Sequence, residues 1–273
     1  MKFFKNKVIC SFLCLAGFLY WQNNGLILTQ TTYTKKVPKG FDGYKILQVS
    51  DLQNKCFGQN QERILEKIRN AAPDIIVITG DLIDRNRTNL DTAMTFVEGA
   101  VNIAPIYYVS GNHEHQSGYF EELAEELTEA GVTVLENGKS VLQKNGDMIE
   151  LIGLADKRVN PYYQEVLATL LKGSEEDAFQ ILLSHRPELF EAYVASGVNL
   201  AFTGHAHGGQ IRLPFIGGIF APNQGFFPVY TSGVYEKKNT AMVVSRGLGN
   251  STFPFRIFNR PELVMITLRY ENI

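Results

Sequence analysis

Five short segments of this 273-residue chain carry metal-seeking side chains at the edge of an apolar run: Asp51-Leu52-Gln53, Gly80-Asp81-Leu82-Ile83-Asp84, Gly111-Asn112-His113-Glu114, Ser184-His185 and Gly204-His205-Ala206-His207. Carboxylates, imidazoles and amide oxygens are together what a pair of divalent cations needs: one oxygen able to bridge, and nitrogen and oxygen donors to complete each shell. Two cations about 3.5 to 4 Å apart answer both difficulties of attack on a phosphate ester, the repelling anion and the poor leaving alkoxide. Asp51, Asp81, Asn112, His185, His205 and His207 supply those donor types. Singly, each piece is weak, because a lone Asp after a strand reads as a helix cap and a lone His as a satisfied polar residue. The set carries the weight: four of the five histidines fall in these segments.

The elements between the segments explain how they meet. Lys45 to Ser50 reads as a strand ending at Asp51, and Ile75 to Thr79, apolar on both faces, as a buried strand ending at Gly80-Asp81. Ile106 to Val109 runs into Gly111-Asn112-His113. Helical stripes over Gln61 to Ala71, Leu90 to Val101 and Tyr119 to Ala130 lie between them, the last stopped by Gly131. Strands feeding polar loops at one edge place a ligand crevice there, as in open α/β sheets. The second half is richer in strands, at Val132 to Leu135, Ser140 to Leu142, Ile149 to Gly153, Gln180 to Leu183, Leu200 to Phe202, Ala241 to Ser245 and Leu263 to Leu268. Two mixed sheets packed face to face with helices outside are the expected α/β architecture.

Composition narrows the partners. Net charge is −2, so no global positive field holds a polynucleotide, and nucleic acid is not expected. Cys10 and Cys14 lie in the N-terminal apolar segment and only Cys56 beyond it, so the folded domain closes no internal disulfide. Lys2, Lys5 and Lys7 precede an apolar stretch from Val8 to Trp21, which reads as a signal anchor or signal peptide over residues 1–24. Its length favours the peptide; Tyr20 and Trp21 and the lack of a small-residue cleavage site favour the anchor. The expectation is a monomeric cell-membrane protein whose single catalytic domain, 25–273, lies outside the cytoplasm.

The five segments, in this order, resemble the calcineurin-like metallophosphoesterase superfamily, whose signature runs D-x-H, G-D-x-x-D, G-N-H-E/D, H and G-H-x-H; the resemblance extends from about Leu26 to Leu268. Gly204 to Pro214, with Ser245-Arg246-Gly247-Leu248-Gly249 and Arg260-Pro261-Glu262, is similar to bacterial membrane-associated or exported members that include lipid-precursor pyrophosphatases. The resemblance implies a four-layer α-β-β-α sandwich and two divalent ions, with Mn ahead of Fe, Zn and Mg. It implies Asp81 as the bridging carboxylate, Asp51 and His207 on the first metal, and Asn112, His185 and His205 on the second. It makes His113 the general acid opposite a metal-bridging hydroxide, and Asp84 the acid that orients His113.

One position departs from the family: Gln53 stands where the first motif has His, and offers the first metal an amide oxygen, a harder and weaker donor. Two readings follow, an active hydrolase or a degenerate pseudoenzyme that binds a phosphorylated ligand at the cell surface. Arg85 reads as a solvated loop arginine more readily than a phosphate grip, and Glu114 as a loop support rather than a ligand. Leu213, Phe215, Ile216, Ile219, Phe220, Phe226 and Phe227 read either as core packing or as an apolar mouth for a lipid-linked substrate. The expected substrates are phosphorylated small molecules or lipid-linked phosphates and pyrophosphates.

Overall fold

The computed structural model describes residues 2–175, 177–251 and 253–272. The first part of the chain contributes strands β1 (Ile27–Tyr33), β2 (Lys45–Val49), β3 (Ile75–Thr79), β4 (Ile106–Val109) and β5 (Thr133–Val134). There follow β6 (Gly138–Lys144), β7 (Asp147–Gly153), β8 (Phe179–Leu183) and β9 (Leu200–Thr203). Four two-residue strands form two small ribbons: β10 (Arg212–Leu213) with β11 (Gly217–Gly218), and β12 (Phe220–Ala221) with β13 (Gly225–Phe226). The last strands are β14 (Gly233–Lys237), β15 (Thr240–Val244) and β16 (Glu262–Leu268). Two six-stranded sheets result, ordered β1-β16-β2-β3-β4-β5 and β14-β15-β9-β8-β7-β6. Both are mixed: β2, β3 and β4 run parallel while β16 opposes β2, and β7, β8 and β9 run parallel while β6 opposes β7.

Three apolar layers show the stacking. The outer face of the first sheet, with Leu47, Ile76 and Ile78, packs on α2 (Glu62–Ala71), α3 (Leu90–Ala100) and α5 (Phe120–Glu129). Its inner face, with Ile46, Ile75 and Val77, meets Ile149, Ile181 and Phe202 of the second sheet. The far face of the second sheet, with Leu182 and Ala201, is covered by α6 (Tyr163–Leu171) and α7 (Phe190–Ser196). β3 is apolar on both faces because both are buried, as expected of an interior parallel strand. Alternation sends Ile76 and Ile78 to one layer and Ile75 and Val77 to the other. Gln48 crosses the middle layer: its Nε2 donates to Thr79 Oγ1 at 2.9 Å and to the Thr203 carbonyl at 2.8 Å. The second of these bonds ties the two sheets together directly beneath the ligand-bearing ends.

The N-terminal segment departs from expectation. Residues Lys2–Asn24 form α1, and among the described residues no helix is long and apolar enough to cross a membrane. Val8 to Trp21 is fourteen residues, short of the roughly 20 a bilayer needs, and the helix then ends in polar Gln22-Asn23-Asn24. The expected spanning anchor is therefore not found. The side chains of residues 2–6 and 8, including Lys2 and Lys5 of the basic flank, lie outside the described residues. The last turn of α1 is instead bonded to the domain: Gln22 Oε1 accepts from Asn259 N at 3.2 Å, and Asn23 Oδ1 from Asn250 Nδ2 at 2.9 Å.

Candidate dinuclear metal centre

Asp51, Asp81 and Asn112 follow the C-terminal ends of β2, β3 and β4; His185 follows β8, and His205 and His207 follow β9. Because these strands run parallel within each sheet, their tips share one edge, and both sheets deliver ligands to it. The turns are strained. Asp51, Gln53, Asp81, His205 and His207 all have positive φ, between 46° and 61°. Non-glycine residues held there cost about 1 to 3 kcal/mol each. Full burial of a Leu or Ile side chain returns about 1.5 to 3 kcal/mol, and Ile46, Leu47, Ile76 and Ile78 on the feeding strands are fully buried. The core thus holds the ligand loops in conformations they would not adopt alone.

Two glycines permit the closest approach. A Cβ on Gly80, itself at φ +84°, would collide with the Gly111 nitrogen, and one on Gly111 would collide with Asp81 Oδ1. Any side chain at either position would push the Asp81 and Asn112 loops apart. Glu114 locks the same junction, with Oε2 accepting from Asp81 N at 3.0 Å and Gly111 N at 2.9 Å, and Oε1 from Leu82 N at 2.6 Å. It is a loop support, as its sequence context suggested.

The ligating atoms fall into two overlapping groups, Asp81 with His185 and His205, and Asp51 with Asp81 and His207, each within 4.8 Å. Asp81 belongs to both, the geometry a bridging carboxylate requires. Its Oδ1 accepts from His113 N at 2.9 Å, while Oδ2 lies 3.3 Å from His185 Nε2. Asp51 Oδ1 lies 3.3 Å from His207 Nε2, and Asp51 Oδ2 accepts from Ser50 Oγ at 2.6 Å.

The outer partners orient the imidazole rings. His185 Nδ1 faces the Thr79 carbonyl at 2.7 Å, and a carbonyl only accepts, so Nδ1 carries the proton. His205 Nε2 lies 2.8 Å from Asn223 Oδ1, which Arg186 Nη1 also engages at 2.7 Å. Arg186 Nη1, which can only donate, also lies 2.7 Å from His205 Nε2. His185 Nε2 and His205 Nδ1 face each other at 3.1 Å. Two ring nitrogens that close need a proton or a cation between them. Burial opposes charge on His185, but the Asp81 carboxylate outweighs it and pushes the ring up to about 10, while the same pairing holds Asp81 well below the usual carboxylate range. A divalent ion competes for the position of that proton. Burial takes His205 well below its ordinary value, aided by Arg186 and His185, and lowers His207 to about 4, so both are neutral donors.

Buried atoms without hydrogen-bond partners complete the fit. Asn112 Oδ1 and Gln53 Oε1 are both buried and unpartnered, a costly state for an amide oxygen unless something electropositive faces it. The Gln53 head places Nε2 3.3 Å from Asp81 Oδ2 and 3.2 Å from His207 Nε2. A half-turn of the amide exchanges its two atoms and presents the oxygen between Asp81 and His207. The donors therefore suit two cations: Asp51, Asp81, Gln53 and His207 for one, and Asp81, Asn112, His185 and His205 for the other. Comparison with known proteins agrees. The sequence profile of the calcineurin-like phosphoesterases matches residues 44–209, the stretch that carries every one of these donors.

The chain belongs to that family. It is 37% identical over 250 residues to the uncharacterized metallophosphoesterase YkuE of Bacillus subtilis (strain 168), covering 89% of this chain and 85% of that one. It is 28% identical over 199 residues to the phosphodiesterase YaeI of Escherichia coli (strain K12), covering 72% and 70%. TT1561 of Thermus thermophilus has a similar fold, with a TM-score of 0.50 at 12% identity over 75% of this chain and 90% of that one. The protein is thus a metal-dependent phosphoesterase, a hydrolase acting on phosphoester bonds, of a family that uses dinuclear metal sites.

Two expectations about the periphery need correction. Asp84 does not hydrogen-bond His113: its Oδ1 accepts from Asn86 N at 2.8 Å and Arg87 N at 3.0 Å, capping the turn that follows β3. His113 Nδ1 accepts instead from Arg85 N at 3.2 Å, which keeps the neutral ring's proton on Nε2, 3.9 Å from Asp81 Oδ2. Burial lowers His113 despite Asp81 and Asp84, so Asp84 acts on it only at a distance. The core reading of the 213–227 aromatics is also overturned, since Phe215, Ile216, Phe226 and Phe227 are exposed.

Arg186, Asn223 and Asn259 were not anticipated. Arg186 makes a buried pair with Asp156 (Nη2 to Oδ1, 2.9 Å), and Asn259 Nδ2 donates to the carbonyls of His207 at 2.8 Å and Gln210 at 2.9 Å. Arg186 follows a ligand histidine directly, the one local signal among them; the others act through contacts that no spacing encodes. Gly247 and Gly249 of the expected tail motif lie against Asp51, with Gly249 N donating to the Asp51 carbonyl at 2.6 Å.

Proposed function

We propose that this chain hydrolyses a phosphomonoester or phosphodiester by direct attack of water, with Asp81 shared between two Mn ions and His113 acting on the phosphoryl or leaving oxygen. The observation that carries the reading is that Asp81 belongs to both ligand groups, beside His185 and His205 whose inner ring nitrogens face each other at 3.1 Å. When bound, the cations supply water activation and neutralise charge on the phosphoryl oxygens. The chain's own residues do the rest. Asp81 is pinned by His113 N, and the turn before it by Glu114, which fixes the separation of the two donor groups. His113 Nε2 holds a proton facing the site and donates it as a hydrogen bond to the phosphoryl group, strengthening as charge develops there. Arg85, Lys157 and Arg186 line the roughly 430 Å³ cavity over these residues and favour an anion.

The oxygen-rich first donor set, with Gln53 in place of an imidazole, favours Mn or Mg over Zn. The exposed aromatics of residues 215–227, and Ile9, Phe12 and Leu13 of α1, support association of an extracytoplasmic monomer with the cell membrane and access to a lipid-linked phosphate or pyrophosphate. Turnover of bis-p-nitrophenyl phosphate with added Mn, compared with Asp81→Ala, tests the hydrolytic reading: equal rates in both proteins would leave a phospholigand-binding role instead.

A further inference from the structure

We infer that the cleft beneath α1 is a second substrate subsite, which holds the organic group of an anionic, alkyl-chained phosphoester while its phosphate lies at the metal centre. The inference rests on the hydrolytic reading above and names its substrate class. The cleft, about 760 Å³, lies between α1 and the segments around residues 53–55, 87–92 and 250–255. It is larger than the cavity over the ligands, and near neighbours in the chain line the two. Ser251 lines one and Asn250 the other; Arg85 lines one and Arg87 the other. Gln53, whose amide bonds Asp81 and His207 on its inner side, is part of the cleft wall on its outer side.

The lining has two characters. Leu19, Tyr20 and Phe255 give an apolar wall, while Lys55, Arg87 and five asparagines give a polar one, and among the described residues no carboxylate lines the cleft. Arg87 and the amides suit a phosphate's remaining oxygens and polar attachments, and the apolar wall suits a hydrocarbon chain. A wholly polar nucleotide or sugar phosphate would leave that wall against water.

The helix is held as a fixed wall rather than a loose tail. Gln22 takes Asn259 N, and Asn259 in turn donates to the His207 carbonyl, so two hydrogen bonds connect α1 to a metal-ligand loop. Asn23 Oδ1 takes both Asn250 Nδ2 and Arg256 N, and the Asn23 carbonyl takes Lys55 Nζ. Phe18 meets Phe258 edge-on and Arg260 stacks over Trp21. A segment serving only as a tether has no need of a polar latch to the catalytic loops.

The test uses the full-length Mn-loaded chain and p-nitrophenyl phosphodiesters whose second alcohol is methyl, octyl or decyl, kept below their micellar concentrations. Each buried methylene is worth about 0.8 kcal/mol, so even partial burial of the chain predicts a decyl-to-methyl ratio in kcat/KM of at least about tenfold. Leu19→Asp and Phe255→Asp should each pull that ratio toward one. Because Trp21 on α1 is the sole tryptophan, its fluorescence gives a second readout: decylphosphonate should bind more tightly than methylphosphonate, and Leu19→Asp should erase the difference. Ratios near one in wild type by both readouts, or ratios unchanged in both variants, would overturn the subsite. If no ester of any length is hydrolysed, the hydrolytic reading fails, and the phosphonate titration still decides whether the cleft binds the chain.

Discussion

His185 Nε2 and His205 Nδ1 face each other at 3.1 Å, while the outer nitrogens of their rings are taken by the Thr79 carbonyl and Asn223 Oδ1. The two rings are thus aimed by groups that bind no metal themselves. Asn223 sits on the loop between β12 and β13, far from the signature segments, and such supports commonly govern 10- to 100-fold in affinity or activity. Asn223→Ala should weaken one of two Mn ions by about that much and leave the other unchanged, as read by isothermal titration. Unchanged affinity at both sites would remove Asn223 from this role.

Gln53 should set metal choice rather than decide whether the centre forms. Restoring an imidazole by Gln53→His should raise Zn affinity relative to Mn by about tenfold or more, because nitrogen is the softer donor. Competitive dialysis against both ions measures the ratio directly. No change would mean that Gln53 does not touch the first cation.

His113 contributes without being needed for metal retention. His113→Ala should lower kcat about 100-fold or more, since a positioned proton donor typically contributes that much, while metal content and KM change little. Loss of metal together with activity would instead mark His113 as structural support for Asp81, whose Oδ1 its backbone nitrogen holds.

The Arg186–Asp156 pair should be a stability determinant. Both side chains are buried, and breaking a buried pair from one side costs about 3 to 5 kcal/mol. Arg186→Leu should show that loss in urea unfolding at neutral pH. Burial works to raise Asp156's carboxyl, but the hydrogen bonds and charge of Arg186 outweigh it and hold it below the usual range. A carboxyl depressed in the folded state stabilises above its unfolded value of about 3.9 and loses that contribution as pH falls through the folded value. The gap between wild type and variant should therefore be steady near neutrality and narrow below about pH 4.

Much of this fold was legible because periodicity and burial agree. Ile75–Thr79 reads as a two-faced interior strand and is one, and Ile64, Leu65 and Ile68 form the buried stripe of α2. Asp51, Asp81, His185, His205 and His207, which the structure brings together, were legible because strand tips are local sequence features. Asp84 misled because a carboxylate after a strand serves a turn as readily as a histidine, and the backbone nitrogens of Asn86 and Arg87 are nearer than the ring. Arg186, Asn223 and Asn259 act across separations that no motif spans, so only the folded chain reveals them. The α1 segment carried both signals at once, an apolar run and a polar end, and the polar end governs its contacts with the domain.

The central claim is that one carboxylate organises two cations, and metal stoichiometry tests it most directly. Elemental analysis after Mn saturation and removal of free ion should find two equivalents per wild-type chain and fewer than one in Asp81→Ala. Two equivalents retained by Asp81→Ala, or none bound by the folded wild-type protein, would contradict it.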